Sequence, residues 1–410
     1  MDAGFRARFE ERIEALARLS EVQGNLTRPS FTPSMKWANE TLAAWMTAAG
    51  MGVRLDGAAN LIGRYEGATP NAQALMIGSH IDTVKDAGKY DGTLGVLLGL
   101  ACVEELARTN RRLPFAVEVV AFTDEEGLRF KLPYVGSRAM TGKLTREDLE
   151  LADENGVSLK AAIDGYGGLP VLSFERRSPE SLLGYLEVHI EQGPTLESTG
   201  RAVGVVSGIS GQSRLEIGFT GMAGHAGTVP MDLRRDALVA AARFIVAVQE
   251  TAREIEGLVA TVGQIGALPG ASNAIPGRAV ISLDIRHMDD AVRRAALDKL
   301  YMRLQDIAAK EHVEFDWLLI ADNAAIPCAP SMVAALSEAV REAGIEPVTL
   351  ASGAGHDAVM LSNLTPVGMM FVRCRDGVSH NPSEFCEAAD AETAADILMR
   401  ALLILANRSG

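Results

Sequence analysis

Residues Ala74–Thr109 read ALMIGSHIDTVKDAGKYDGTLGVLLGLACVEELART. Three textures follow one another in this stretch. ALMIGSHID is a short apolar run of strand length, and LGVLLGLACVEELART is a longer one that reads as a buried helix. Between them lies a Gly-punctuated bend carrying His80, Asp82, Asp86 and Asp91. A strand followed by a buried helix is the repeating unit of an α/β sheet with helices on its faces. The bend itself has four competing readings: a solvated loop, a phosphate cradle, an acid/base pair, or half of a metal site.

The same texture extends outward. NLIGRYEG (60–67), FAVEVVAFTDEEG (115–127) and GYLEVHIEQG (184–193) read as strands, the last two ending in polar groups. In open α/β sheets ligands sit beyond the carboxyl ends of the strands. His80, Glu125, Glu126 and His189 all fall at such ends, which is the first sign of a single site.

The middle of the chain is different. SRLEIGFTG, LVATVGQIGAL, GRAVISLDIRH and VEFDWLLIA read as strands. PMDLRRDALVAAARFIVAVQETARE, with Pro230 near its first turn, and DDAVRRAALDKLYMRLQDIAAKE read as helices. The resulting order, β-α-β-β-α-β, is the ferredoxin-like split unit. It fills residues 211–324 as a complete small domain. It interrupts a catalytic α/β domain made of 1–210 and 325–410, whose last part holds the strands PVTLASG and PVGMMFVR and a helix over 390–406.

The totals narrow the class. A chain of 410 residues with net charge −14 has the length of two or three domains, and its acidic surface argues against nucleic acid as partner. No apolar run approaches the roughly 18 residues that a membrane helix needs. The N-terminal helix lacks an apolar signal segment, and Cys102, Cys328, Cys374 and Cys386 have no CxxC spacing. Both point to the cytoplasm.

Five of the seven histidines stand in Gly-, Ser- or acid-rich turns: GSHID, EVHIEQG, GMAGHAG, GAGHDA and GVSHNPSEF. His80 and Asp82 are two apart, so a strand end turns both to one face, where the Asp82 carboxylate can accept from the ring's second nitrogen. Asp91 offers two oxygens, enough to bridge two cations or to cap the helix behind it. Adjacent strand residues face opposite ways, so Glu125 and Glu126 take different tasks, one ligating and one collecting a proton from water. His189 is a candidate ligand, Gln192 can meet a substrate amide, and His380 precedes the rigid turn Asn381-Pro382. Neither GxSxG nor GxxxxGK[ST] is present. The pattern suits two divalent cations sharing a carboxylate, with zinc, manganese, cobalt or nickel all compatible with mixed His/carboxylate ligation.

GSHIDTV, YDG, TDEEG, EVHIEQG, GHAGTVPM, SGAGHDA and SHNP, in this order, resemble the M20-type hydantoinase/carbamoylase amidases. That family includes allantoate amidohydrolases, N-carbamoyl-L-amino acid hydrolases and β-ureidopropionases. The likeness runs from about Asn25 to the C-terminus. It implies a di-metal aminopeptidase-like catalytic domain with an inserted lid that also dimerises. One metal would be held by His80, Asp91 and His189, the other by Asp91, Glu126 and His380. Glu125 becomes the general base. His225 becomes the lid histidine that stabilises the oxyanion, reaching from the partner subunit. Gln192 would contact the ureido group, Asn273 and Arg286 the substrate carboxylate, and His356 would lie nearby. The implied activity is hydrolysis of a ureido or carbamoyl C–N bond in a small anionic substrate. TDEEGLRF and YVGSRAMTG lean it towards allantoate, ahead of N-carbamoyl-L-amino acids or N-carbamoyl-β-alanine. An aminoacylase or dipeptidase, or a silent binding protein on the same fold, are the competing classes.

Overall fold

The computed structural model describes residues 1–166 and 176–409. The chain divides into two compact units: Met1–Ser207 with Cys328–Gly410, and the contiguous Gly208–Pro327. The boundaries read from the sequence, 211 and 324, fall just inside the second unit.

The first unit is built on a nine-stranded sheet. Its strands run in the order Gly52–Leu55, Leu61–Tyr65, Ala116–Phe122, Ala74–His80, Leu182–Ile190, Val367–Val372, Val203–Ile209, Ile326–Pro327, and the ninth, Thr349–Ser352, also pairs with Val203–Ile209. The four middle strands are mutually parallel. Ala74–His80 and Ala116–Phe122 are buried at every residue, as expected of parallel strands covered on both faces. Because these strands run the same way, His80, Phe122, Ile190 and Val372 all end at one edge of the sheet. The helix Thr93–Arg108 is almost wholly buried, against this sheet on one side and the C-terminal helix Ala388–Ser409 on the other. That explains why its sequence is apolar all round rather than on one stripe.

In the second unit the sheet order is Ile265–Leu268, Arg278–His287, Gly211–Thr220, Glu314–Asn323, and every pairing is antiparallel. Burial alternates along Arg278–His287, so one face is covered and the other is not. The covered face packs Ile217, Phe219, Ile281 and Leu283 against Ala240 and Phe244 of one helix and Leu300 and Leu304 of the other. The unit therefore has a core of its own. At the crossing between the units, Cys328 N donates to the Ser207 carbonyl at 2.9 Å, and Ile326–Pro327 pairs antiparallel with Gly208–Ile209.

Three details differ from the sequence reading. The helix expected to open at Pro230 begins at Ala237, after a single 3-10 turn at Met231–Leu233. Asp236 is its N-cap, accepting from Leu238 N at 3.0 Å and Val239 N at 3.2 Å. A capping carboxylate satisfies two orphan amides, which Pro230 cannot do. LVATVGQIGAL is two short strands, Val259–Thr261 and Ile265–Leu268, rather than one. The last helix runs over Ala388–Ser409, longer at both ends than 390–406.

Candidate metal centre

The polar edge of the first sheet gathers His80, Asp91, Glu125, Glu126, His189 and His380. Asp91 lies at the middle, with only 4% of its surface exposed. Its two oxygens face different partners. Oδ1 stands 3.0 Å from His189 Nε2 and 3.6 Å from His80 Nε2. Oδ2 stands 3.1 Å from His380 Nε2, which is also 3.2 Å from Glu126 Oε1. Two donor triads result, His80/Asp91/His189 and Asp91/Glu126/His380, each with its ligating atoms within 4.8 Å of one another. Glu125 lies beside both, its Oε2 3.9 Å from His80 Nε2, and is itself buried.

The bend between Ala74–His80 and Thr93–Arg108 makes this possible. Gly92 follows Asp91 with φ +63°, and a Cβ there would stand 2.6 Å from the His80 ring. Only glycine lets the Asp91 turn close on His80. Asp124, Gln192 and His380 also hold left-handed φ of 56°, 58° and 55°. Strained backbone of this kind clusters where a ligand site requires it.

The imidazoles are oriented by main-chain carbonyls. His80 Nδ1 lies 3.0 Å from the Asp82 carbonyl and His189 Nδ1 2.9 Å from the Ile190 carbonyl. A carbonyl can only accept, so each Nδ1 carries the hydrogen and each Nε2 presents a lone pair towards Asp91 Oδ1. Lone pair facing carboxylate is repulsive unless a positive charge lies between. The protonation equilibria say the same. Burial opposes charge on His80, yet Glu125, Asp91 and Asp82 hold its pKa well above the usual value. Burial likewise opposes charge on His189, but Asp91 raises it, and the hydrogen bonds to Asp91 and Glu126 push His380 up to about 10. Burial would raise Asp91, but the facing imidazoles of His189, His380 and His80 hold it well below the carboxylate range. Burial, with Glu126, Asp357 and Asp82 nearby, keeps Glu125 well above that range. The cluster has an excess of negative charge that takes up protons or cations, and its His/carboxylate donors fit divalent metal ions.

Asp82 departs from its expected part. Its side chain stands 3.8 Å from His80 Nδ1, outside hydrogen-bond range, and its main-chain carbonyl serves the ring instead. The carboxylate accepts from Glu125 N and Glu126 N at 3.2 Å each, so it fixes the acids rather than the histidine. Gln192 Nε2 reaches Asp91 Oδ2 at 3.3 Å and Ser379 Oγ at 3.1 Å. The buried His356 bonds Ser352 Oγ at 2.8 Å, and its ring lies 4.6 Å from that of His189. Burial, then His189, holds its pKa well below the usual value, so it is neutral.

The candidates in the second unit form a separate group. The strand Gly224–His225 pairs with Ala274–Ile275, and Ala226 N donates to the Asn273 carbonyl, which makes His225 and Asn273 neighbours. His225 Nδ1 accepts from Gly227 N at 3.0 Å, so Nε2 carries the hydrogen and is a donor. Arg286 is held bidentately by Asp284, at 2.7 Å and 2.9 Å.

Glu384 escaped the sequence reading, although it lies in the same SHNPSEF stretch as His380. Its Oε1 accepts from Tyr90 N at 2.8 Å and Asp91 N at 3.0 Å, and its Oε2 from Ser379 Oγ at 3.1 Å. Burial first, then Asp91, pushes its pKa up to about 7. Arg28 was missed too. Fully buried, it clamps the bend by donating from Nε to the Ile81 carbonyl at 2.7 Å.

Residues 76–404 match the family model described as peptidase family M20/M25/M40. The chain belongs to that family. It is 40% identical over 398 residues to the N-carbamoyl-L-amino acid amidohydrolase of Geobacillus stearothermophilus, covering 96% of this chain and 97% of that one. It is equally 40% identical over 416 residues to a probable allantoate deiminase of Oryza sativa subsp. japonica, covering 91% and 83%. A crystal structure of an amidase of the hydantoinase/carbamoylase family from Burkholderia multivorans matches with TM-score 0.91 and 33% identity over 97% of each chain. This M20 member is thus an amidohydrolase, acting on C–N bonds other than peptide bonds. No described helix is long and apolar enough to cross a membrane.

Proposed function

We propose that the protein hydrolyses the ureido C–N bond of a small carboxylate-bearing substrate. Allantoate is the first candidate and an N-carbamoyl-L-amino acid the second. The equal 40% identity to a relative of each kind gives neither precedence. The observation that carries the reading is Asp91 shared between two donor triads, with a buried glutamate beside both.

In this reading His80, Asp91 and His189 hold one divalent cation and Asp91, Glu126 and His380 the other, zinc or manganese first, cobalt or nickel also admissible. Such a pair supplies Lewis-acid polarisation of the ureido oxygen and a water of lowered pKa. Glu125 takes the proton of the attacking water and returns it to the departing nitrogen, a transfer suited to a carboxyl group whose pKa is raised. Water adds to the ureido carbonyl, the C–N bond to the substrate breaks, and the carbamic acid left over falls to ammonia and carbon dioxide. Gln192 contacts the ureido group, and the neutral His356 lies at the back of the same site.

The inserted unit acts as the lid. His225 Nε2–H is the donor for the oxyanion, from the partner subunit, and Asn273 and Arg286 receive the substrate carboxylate, Arg286 in the planar fork that suits it. The unit also carries the homodimer contact. Leu318, Leu319 and Ile320, exposed by 54%, 51% and 60% on the edge strand Glu314–Asn323, support that assignment. A cytoplasmic location completes the reading.

The test is ammonia release from protein reconstituted with zinc, manganese or cobalt, given allantoate, N-carbamoyl-L-amino acids, N-carbamoyl-β-alanine or an N-acetyl amino acid. Ammonia from allantoate alone selects the first candidate, and ammonia from carbamoyl amino acids the second. Cleavage of the acetyl compound alone means that the site is right and the bond wrong.

A further inference from the structure

The chain returns to the acids soon after leaving them. Tyr134 N donates to the Glu125 carbonyl at 3.1 Å, Val135 N to that of Asp124 at 3.1 Å, and Gly136 N to that of Thr123 at 2.8 Å. Tyr134 is thereby the cross-chain neighbour of Glu125. It holds φ +67°, a conformation that a bulky residue rarely keeps. Strain of this kind persists where its surroundings over-determine it, and it gathers at ligand sites.

The phenol extends to the SGAGHDA segment. A Cβ on Gly355 would stand 1.8 Å from Tyr134 Oη, so residue 355 is glycine where the hydroxyl needs room. The next residue is His356, whose ring rests against that of His189. Tyr134 therefore spans from Glu125 to the turn beside a ligand histidine. Its hydroxyl makes no hydrogen bond among the described residues. Burial, and after it Glu125, Asp357, Glu187 and Glu126, push its pKa up, so it stays a neutral O–H at any working pH. A neutral hydroxyl with donor and acceptor both open, among carboxylates that repel an anion, matches an uncharged group carrying N–H and C=O.

We propose that Tyr134 is a substrate-contacting residue whose hydroxyl hydrogen-bonds the ureido group, between Glu125 and the Gly355–His356 turn, and favours ureido over acyl substrates. The inference rests on the ureido reading above. A ureido group ends in NH2 where an acetyl group ends in methyl. A polar group that finds its partner in only one of the two discriminates against the other.

Tyr134→Phe keeps the ring and removes one oxygen. The expected result is a fall of about tenfold in kcat/KM for the preferred ureido substrate, the size of one lost hydrogen bond. Metal content, thermal midpoint and the inhibition constant of the matching N-acetyl amino acid stay at parent values. Gly355→Ala displaces the hydroxyl and also lowers turnover, and Gly355→Ala with Tyr134→Phe together is more active than Gly355→Ala alone. Parent-like kcat/KM in Tyr134→Phe overturns the proposal. So does a loss that tracks lost metal, which makes the residue structural. A parent protein that releases no ammonia from any ureido compound overturns the function proposed above, and this inference with it.

Discussion

The two groups of candidate residues, one in each unit, are built on opposite principles. In the first unit, Asp91, His80, His189 and Glu125 are buried, and each is tied by hydrogen bonds or ring contacts to its neighbours. In the inserted unit, His225 and Asn273 are exposed and Arg286 is half-buried on a strand end. A group that must hold a fixed arrangement of charge is assembled in advance, where low dielectric strengthens each interaction. A group that meets a ligand arriving from water stays open until it comes. The candidate site of the first unit therefore carries left-handed backbone and buried charge, and His225, Asn273 and Arg286 carry neither.

The largest effect expected from breaking this contrast is at Glu125. Glu125→Gln should retain bound metal and thermal midpoint and lose about 10²- to 10⁴-fold in kcat, the usual worth of a positioned acid/base group. An unchanged kcat, with metal content measured alongside, removes the base from the scheme. Next is Arg286→Ala, which should raise KM about 10- to 100-fold for carboxylate-bearing substrates and leave kcat nearly constant. Equal weakening of substrates with and without a carboxylate would refute the clamp. Asp284→Asn sharpens this test, because Asp284 already occupies the guanidinium. Glu384→Gln comes third. It keeps one oxygen for the Tyr90 and Asp91 amides and loses the acceptor for Ser379, so metal affinity should fall about tenfold, as for other groups that orient a ligand. Competition with a chromogenic chelator measures it, and full affinity would make Glu384 a bystander. The smallest is Asp236→Ala, which removes a helix cap in the inserted unit and should cost about 1 kcal/mol of stability there. Calorimetry should show the shift while metal affinity is untouched.

The same contrast governs what could be read from the chain. Strand ends followed by His, Asp or Glu were legible, because a parallel sheet delivers all its carboxyl ends to one edge and the residues there declare themselves. The pairing of Asp91 with His380, nearly three hundred residues later, needed the family likeness as well as the spacing. Glu384 was not legible, since its work is to accept two main-chain amides, and nothing in a sequence marks which amides lack partners. Asp82 was half legible. Its place beside His80 followed from period-2 geometry, but the bend turns its carboxylate to the Glu125 and Glu126 amides and its carbonyl to the ring. The start of the helix at Ala237 was misread because Pro230 is the louder signal and Asp236 the stronger cap. Tyr134 opens the YVGSRAMTG stretch, but its own part comes from a left-handed backbone and a glycine more than two hundred residues away.

The strand Val367–Val372 lies between Leu182–Ile190 and Val203–Ile209 in the first sheet, although almost all of the inserted unit separates it from both in sequence. This fixes an order of events during synthesis. The contiguous inserted unit has all its residues, and its own core, before the ribosome reaches the strand that fills the gap in the first sheet. His380 and Glu384 emerge later still. The first unit is therefore the last part of the molecule to close, and its acid cluster waits, incomplete, for the final tenth of the chain.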